Sequence, residues 1–201
     1  MGGDRPVPTA EHGQPRELRD GTDRRPVAES RVVHDGMVWD IRRDTIDFAP
    51  GVRFDREYVA HTGAVAVLAV DDDERALLIR QYRHPAGGEL WEIPAGLLDI
   101  AGEDPAVAAT RELQEEADLV ADSLEPLLRF RPSPGGSDEE IRIYLARGLR
   151  TQPDDSFVRE GEEAELTTAW VPVREVVDAV LRGDLSSGTL VAAILAYSAA
   201  H

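Results

Sequence analysis

The run Ala64-Val65-Ala66-Val67-Leu68-Ala69-Val70 lies unbroken between Gly63 and the polar turn Asp71-Asp72-Asp73-Glu74. An apolar run this short, bounded by turn residues and rich in β-branched side chains, reads as a strand buried on both faces. Such a strand has to be covered on both sides, and helices packed over a sheet supply that cover. The rest of the chain offers the partners. Ala76 to Arg83 returns from the turn as a second strand, and Trp91-Glu92-Ile93-Pro94-Ala95-Gly96 reads as a short strand ending in a loop. Leu124 to Arg131, Glu140 to Leu145 and Leu166 to Val171 read as further strands, and Val173 to Leu181 and Thr189 to Ala199 as two closing helices. The expected fold class is an α/β sandwich with a mixed sheet between helical layers.

Upstream, Arg31 to His34 and Met37 to Arg42 alternate as half-buried strands do, Phe48 to Gly51 forms a turn, and Arg56 to His61 leads into the buried run. Residues 1–29 are rich in Gly, Pro and charge and almost without large apolar side chains, so a disordered tail is expected, with order beginning near Ser30. The division is thus a tail over 1–29, N-terminal strands over 30–61 and one domain over 62–201.

Composition removes several function classes. With 22 Lys+Arg against 39 Asp+Glu the net charge is -17, which argues against nucleic acid held by bulk electrostatics. The acidity serves solubility, and a carboxylate cluster for a divalent cation accounts for part of it. The absence of cysteine excludes disulfides, thiolate zinc sites and a cysteine nucleophile. No apolar run approaches the roughly 18 residues of a membrane span, and the N-terminus lacks the layout of a secretory signal. A cytoplasmic protein without a membrane partner is expected.

The most informative helix starts at Asp104, a natural N-cap, followed by Pro105. Ala109, Leu113 and Ala117 form its apolar stripe, while Glu112, Glu115 and Glu116 at spacings of three and four address one side. Carboxylates so placed repel one another by a few tenths of a kcal/mol per pair. Either Arg111, four residues before Glu115, or a hard divalent cation compensates them, unless the face is simply solvated.

The word order Glu103, then Arg111-Glu112-Leu113-Gln114-Glu115-Glu116 eight residues later, resembles the Nudix box. Two positions depart from it. Gly96 lies one residue further from Glu103 than usual, and Asp118 stands where a glycine is expected after the paired glutamates. Neither removes a ligand. The resemblance implies a metal-dependent pyrophosphohydrolase using Mg2+ or Mn2+, with Glu112, Glu116, Glu115 and the Ala95 carbonyl as ligands. Arg111 would hold the acidic residues in place, with Glu103 orienting it.

Pro134, Trp91 to Gly96 and Gln81-Tyr82-Arg83 are similar to the ADP-ribose pyrophosphatase subgroup. That likeness implies hydrolysis of ADP-ribose to AMP and ribose 5-phosphate by a homodimer whose N-terminal strands exchange. It also implies a catalytic base in the acidic loop Arg159 to Glu165, with Glu163 first and Glu162 second. Arg56 and Arg83 would bind phosphate oxygens and Pro134 would contact the substrate, while Glu139 and Glu140, after Gly136, compete for substrate or metal contact. Trp39 would stack on adenine, from its own or the partner subunit, or else serve the core or the dimer interface. Other nucleoside diphosphate derivatives, and a non-catalytic binding module, are the alternatives.

Overall fold

The computed structural model describes residues 18–152 and 166–201. The apolar run becomes strand β4, Ala64–Ala69, and its neighbours confirm two-sided burial. Ala66, Leu68 and Val70 point into one cluster with Val176, Leu190, Ile194 and Tyr197, whereas Val65, Val67 and Ala69 point into another with Ala108, Ala109 and Leu113. The period-2 alternation of a strand thus sends successive side chains to opposite helical layers. Helix α1, Pro105–Ala117, covers one side. Helices α2, Val173–Arg182, and α3, Gly188–Ala200, cover the other.

The α/β sandwich expected from the sequence is present, with its strands divided between sheets. Strand β7, Ala95–Leu97, pairs antiparallel with β4. On the other side of β4 runs β9, Ile141–Thr151, in parallel, followed by β8, Leu119–Phe130, antiparallel to β9. A second, antiparallel sheet has the order β10 (Thr167–Pro172), β5 (Arg75–Arg83), β6 (Gly88–Glu92). The segment Trp91 to Gly96 is therefore two strands in different sheets rather than one. Pro94 marks the break, since it has no N–H to give a ladder, and its carbonyl accepts from Val67 N–H at 2.8 Å.

The N-terminal sheet is an antiparallel meander of β1 (Val27–His34), β2 (Asp40–Ala49) and β3 (Val52–Ala60). Val27 already pairs with Ile46, so order starts ahead of Ser30. The half-burial expected of the first strand is not realised: every residue of β1 is exposed, because nothing in the described chain packs over it. Val32, Val33, Val38, Phe48 and Val52 are left in solvent. Among the described residues no helix is long and apolar enough to cross a membrane.

One polar network ties α3 to the turn before β5. The hydroxyl of Tyr197 donates to Glu74 at 2.6 Å, and Arg147 pairs with Glu74 and contacts the same hydroxyl. Burial, followed by the bond to Glu74, pushes the Tyr197 phenol up to about 12 from its ordinary 10, against the opposing pull of Arg147. A raised folded-state value favours the neutral phenol. Its stabilising contribution is complete below pH 10 and is lost as pH rises through about 12. Urea denaturation at stepped pH should show wild type losing its advantage over Tyr197→Phe across that window. A constant difference between the two proteins would contradict this.

Candidate active site

Local chemistry builds α1 from both ends. The Asp104 carboxylate accepts from Ala106 N–H at 2.8 Å, capping the first turn, with Pro105 beginning the helix. At the other end Asp118 adopts the left-handed conformation, φ 55° and ψ 33°, and its N–H closes on the Gln114 carbonyl at 2.9 Å. Aspartate thus fills the position where glycine was expected, at the modest cost of a left-handed non-glycine residue. The extra residue between Gly96 and Glu103 is absorbed in a turn in which Glu103 N–H meets the Ile100 carbonyl at 3.1 Å, with Gly102 at φ 82°. That turn delivers Glu103 back to the helix.

Arg111 is the hub. Its Nη1 donates to Glu112 Oε1 at 2.6 Å and to Glu115 Oε2 at 2.9 Å, while Nε and Nη2 reach the two Glu103 oxygens at 3.3 and 3.2 Å. Hydrogen bonding to Glu103 holds the guanidinium above its ordinary range; burial opposes this, and the charges of Glu112 and Glu115 add to it. Arg111 therefore stays charged and draws the carboxylates together. Glu116 is buried, and its Oε2 accepts from Ala95 N–H at 2.8 Å, tying α1 to β7. Gly96 lies beside it. A Cβ there would meet the Glu112 carboxylate, so this side chain holds its present position because that atom is missing.

These groups line one cleft of about 980 Å³. It brings together Ala95, Arg111, Glu112, Glu115 and Glu116 with Arg83, Trp39 and Glu139 from other elements. Trp39 reaches the cleft of its own chain. Arg83 is held bidentately by Glu92, at 3.0 and 2.8 Å, beside the box helix. Arg56 and Pro134 are placed elsewhere, in a neighbouring cleft of about 680 Å³ that also holds Arg24 and Arg131. Glu162 and Glu163 lie outside the described residues. Sequence reasoning missed His61, Gln81, Glu92 and Asp99, which also line the main cleft. Glu92 carried no usable signal: it stands opposite Ile79 on β5 and meets Arg83 only along the length of the hairpin.

The donor set suits a hard divalent cation: glutamate oxygens along one wall, with a single guanidinium among four carboxylates. The set is not gathered as a ligand cage. Among the described residues no three acidic or imidazole side chains converge closely enough to hold an ion, because Arg111 engages Glu112 and Glu115 while Glu116 faces Ala95. Coordination would require Glu112 and Glu115 to exchange part of their contact with Arg111 for the ion. Gly96→Ala tests the close approach. It should displace the Glu112 carboxylate and lower activity by roughly 100-fold with little change in melting temperature, as small misplacements at reacting centres do. Activity within twofold of wild type would show that Glu112 has room to spare.

Comparison with known proteins identifies the family. The NUDIX domain matches residues 60–193. An ADP-ribose pyrophosphatase of Mycobacterium tuberculosis is 42% identical over 172 residues, covering 85% of this chain and 81% of that protein. An ADP-ribose pyrophosphatase of Bacillus subtilis is 39% identical over 155 residues, covering 73% and 83%. A crystal structure of an ADP compounds hydrolase superposes with a TM-score of 0.73 at 23% identity, over 90% of this chain and 95% of that one, a likeness of fold. With Arg111-Glu112-Leu113-Gln114-Glu115-Glu116 on α1 and the domain matched from residue 60 to 193, the chain belongs to the Nudix hydrolase family.

Proposed function

We propose that the main cleft hydrolyses the diphosphate of ADP-ribose, giving AMP and ribose 5-phosphate. The observation that carries the reading is the Arg111-centred carboxylate cluster facing Arg83 and Trp39 across one cleft. The ADP-ribose pyrophosphatases of M. tuberculosis and B. subtilis, similar over most of their lengths, support the substrate. Glu112, Glu116, Glu115 and the Ala95 carbonyl would hold Mg2+ or Mn2+. Bound there, a divalent ion supplies charge neutralisation at the diphosphate and acidifies a water. Arg83, aligned by Glu92, binds phosphate oxygens, and Trp39 presents its indole to the adenine. Glu139 contacts the ribose side. Water attacks one phosphorus, the bridging P–O bond breaks, and the water's proton passes to Glu163, with Glu162 the second choice.

The protein works as a cytoplasmic homodimer on a small-molecule nucleotide. The uncovered N-terminal sheet with its exposed valines supports the dimer, since apolar faces of this kind mark association surfaces. Arg56 and Pro134 would act on substrate through that assembly or along a ligand extending between the clefts. The test is a panel of ADP-ribose, a nucleotide sugar, a dinucleoside polyphosphate and a nucleoside triphosphate with Mg2+, scored by product release. ADP-ribose should be hydrolysed with the highest kcat/KM. Equal or better turnover of the triphosphate overturns the substrate assignment, and binding without AMP release favours a non-catalytic module.

A further inference from the structure

His61 follows β3 and is nearly enclosed, its side chain only 6% exposed on the cleft wall. Its Nδ1 accepts the Gly63 N–H at 2.9 Å. A neutral imidazole that accepts at one nitrogen carries its proton on the other, so Nε2–H is the form this contact selects. That Nε2 faces Glu139 Oε1 at 3.5 Å. The ring stacks on Trp39 with centroids 5.1 Å apart and planes 25° from parallel. The backbone joins in: His61 N–H donates to Asp138 Oδ1 at 2.8 Å, and Val59 N–H donates to the Gly136 carbonyl at 2.9 Å. One imidazole therefore touches a tryptophan from the N-terminal region and a glutamate from the segment before β9. Both of those residues line the cleft.

We infer that His61 is a positioning residue that sets the Trp39 indole and the Glu139 carboxylate on the same wall and so determines affinity for the base and ribose end of the nucleotide. Nδ1 is occupied by the Gly63 N–H, and Nε2 points toward the Glu139 carboxylate. The inference rests on the proposed nucleotide hydrolysis for its substrate and on the contacts alone for its geometry.

Asparagine and glutamine separate the two halves of the ring. The amide oxygen of His61→Asn can still accept from Gly63 N–H, while the stack and the Nε2–H are lost; His61→Gln reaches toward Glu139 instead. His61→Asn should raise KM by about tenfold, the scale of one lost aromatic contact, with kcat within about twofold. His61→Gln should recover part of that loss. Glu139→Gln should add little to KM in the His61→Asn background, because residues acting as a unit are not additive. Long-range 15N–1H spectra of wild type should show His61 protonated at Nε2. An unchanged KM in His61→Asn, an effect confined to kcat, full additivity with Glu139→Gln, or protonation at Nδ1 overturns the inference. Should wild type fail on ADP-ribose, the functional reading falls separately. The same KM ratios are then taken on whichever nucleotide it hydrolyses, and the tautomer needs no substrate.

Discussion

Glu116→Gln is expected to lower kcat/KM on ADP-ribose by on the order of 10³-fold, with the folded protein retained. The glutamine carbonyl oxygen can keep accepting from Ala95 N–H, so the tie between α1 and β7 survives the change. The charge at a buried position of the cleft wall is lost. Isothermal titration with Mn2+ should then show weaker binding in parallel with the lost activity, and excess metal should restore part of the rate. A variant that binds Mn2+ as wild type does, yet is inactive, would reassign Glu116 from ligand to reacting group. Full activity would remove it from the site altogether.

Glu163→Gln is expected to behave in the opposite sense, lowering kcat by roughly 10²–10⁴-fold, the usual worth of a general base, with metal affinity nearly unchanged. Replacing a carboxylate by an amide removes the proton acceptor at almost constant size. Comparison with Glu162→Gln fixes the register within the acidic segment, where neighbouring glutamates compete for the role. In both proteins the pH profile of kcat is informative: loss of the base should remove the acidic limb. Wild-type turnover in Glu163→Gln transfers the assignment to Glu162, and wild-type turnover in both removes the base from this segment.

The box helix was legible in the sequence because what makes it is local. The Asp104 cap, Pro105, the apolar stripe through Leu113 and the clustering of Glu112, Glu115 and Glu116 all follow from neighbours within four residues. The buried strand at Ala64 was legible for a similar reason, since a strand covered on both faces must be apolar throughout. Long-range pairing was not. β8 begins at Leu119 rather than Leu124 because Leu119 to Ser123 find partners in Thr151 to Arg147, far along the chain. The break at Pro94 depends on β6 and β7 joining different partners. The same limit applies to the site. The family likeness could name Arg56, Arg83, Pro134 and Glu139, but only the fold sorts Arg83 and Glu139 into the main cleft and Arg56 and Pro134 into another. His61 was invisible as a site residue because its role comes from Trp39 and Glu139, which reach it from separate parts of the chain.

The two-sided strand β4 has a practical corollary for anyone reshaping this protein. Val65 and Val67 seat the helix that bears the glutamates, and Ala66 and Leu68, one peptide away, seat Leu190, Ile194 and Tyr197 of α3. A single strand's thickness separates the last helix from the reactive one. Terminal segments are usually the most forgiving places to trim or fuse a chain. Here a cut into α3 would unseat the backing of the wall on which the glutamates stand, and would take Thr189 out of the cleft lining as well.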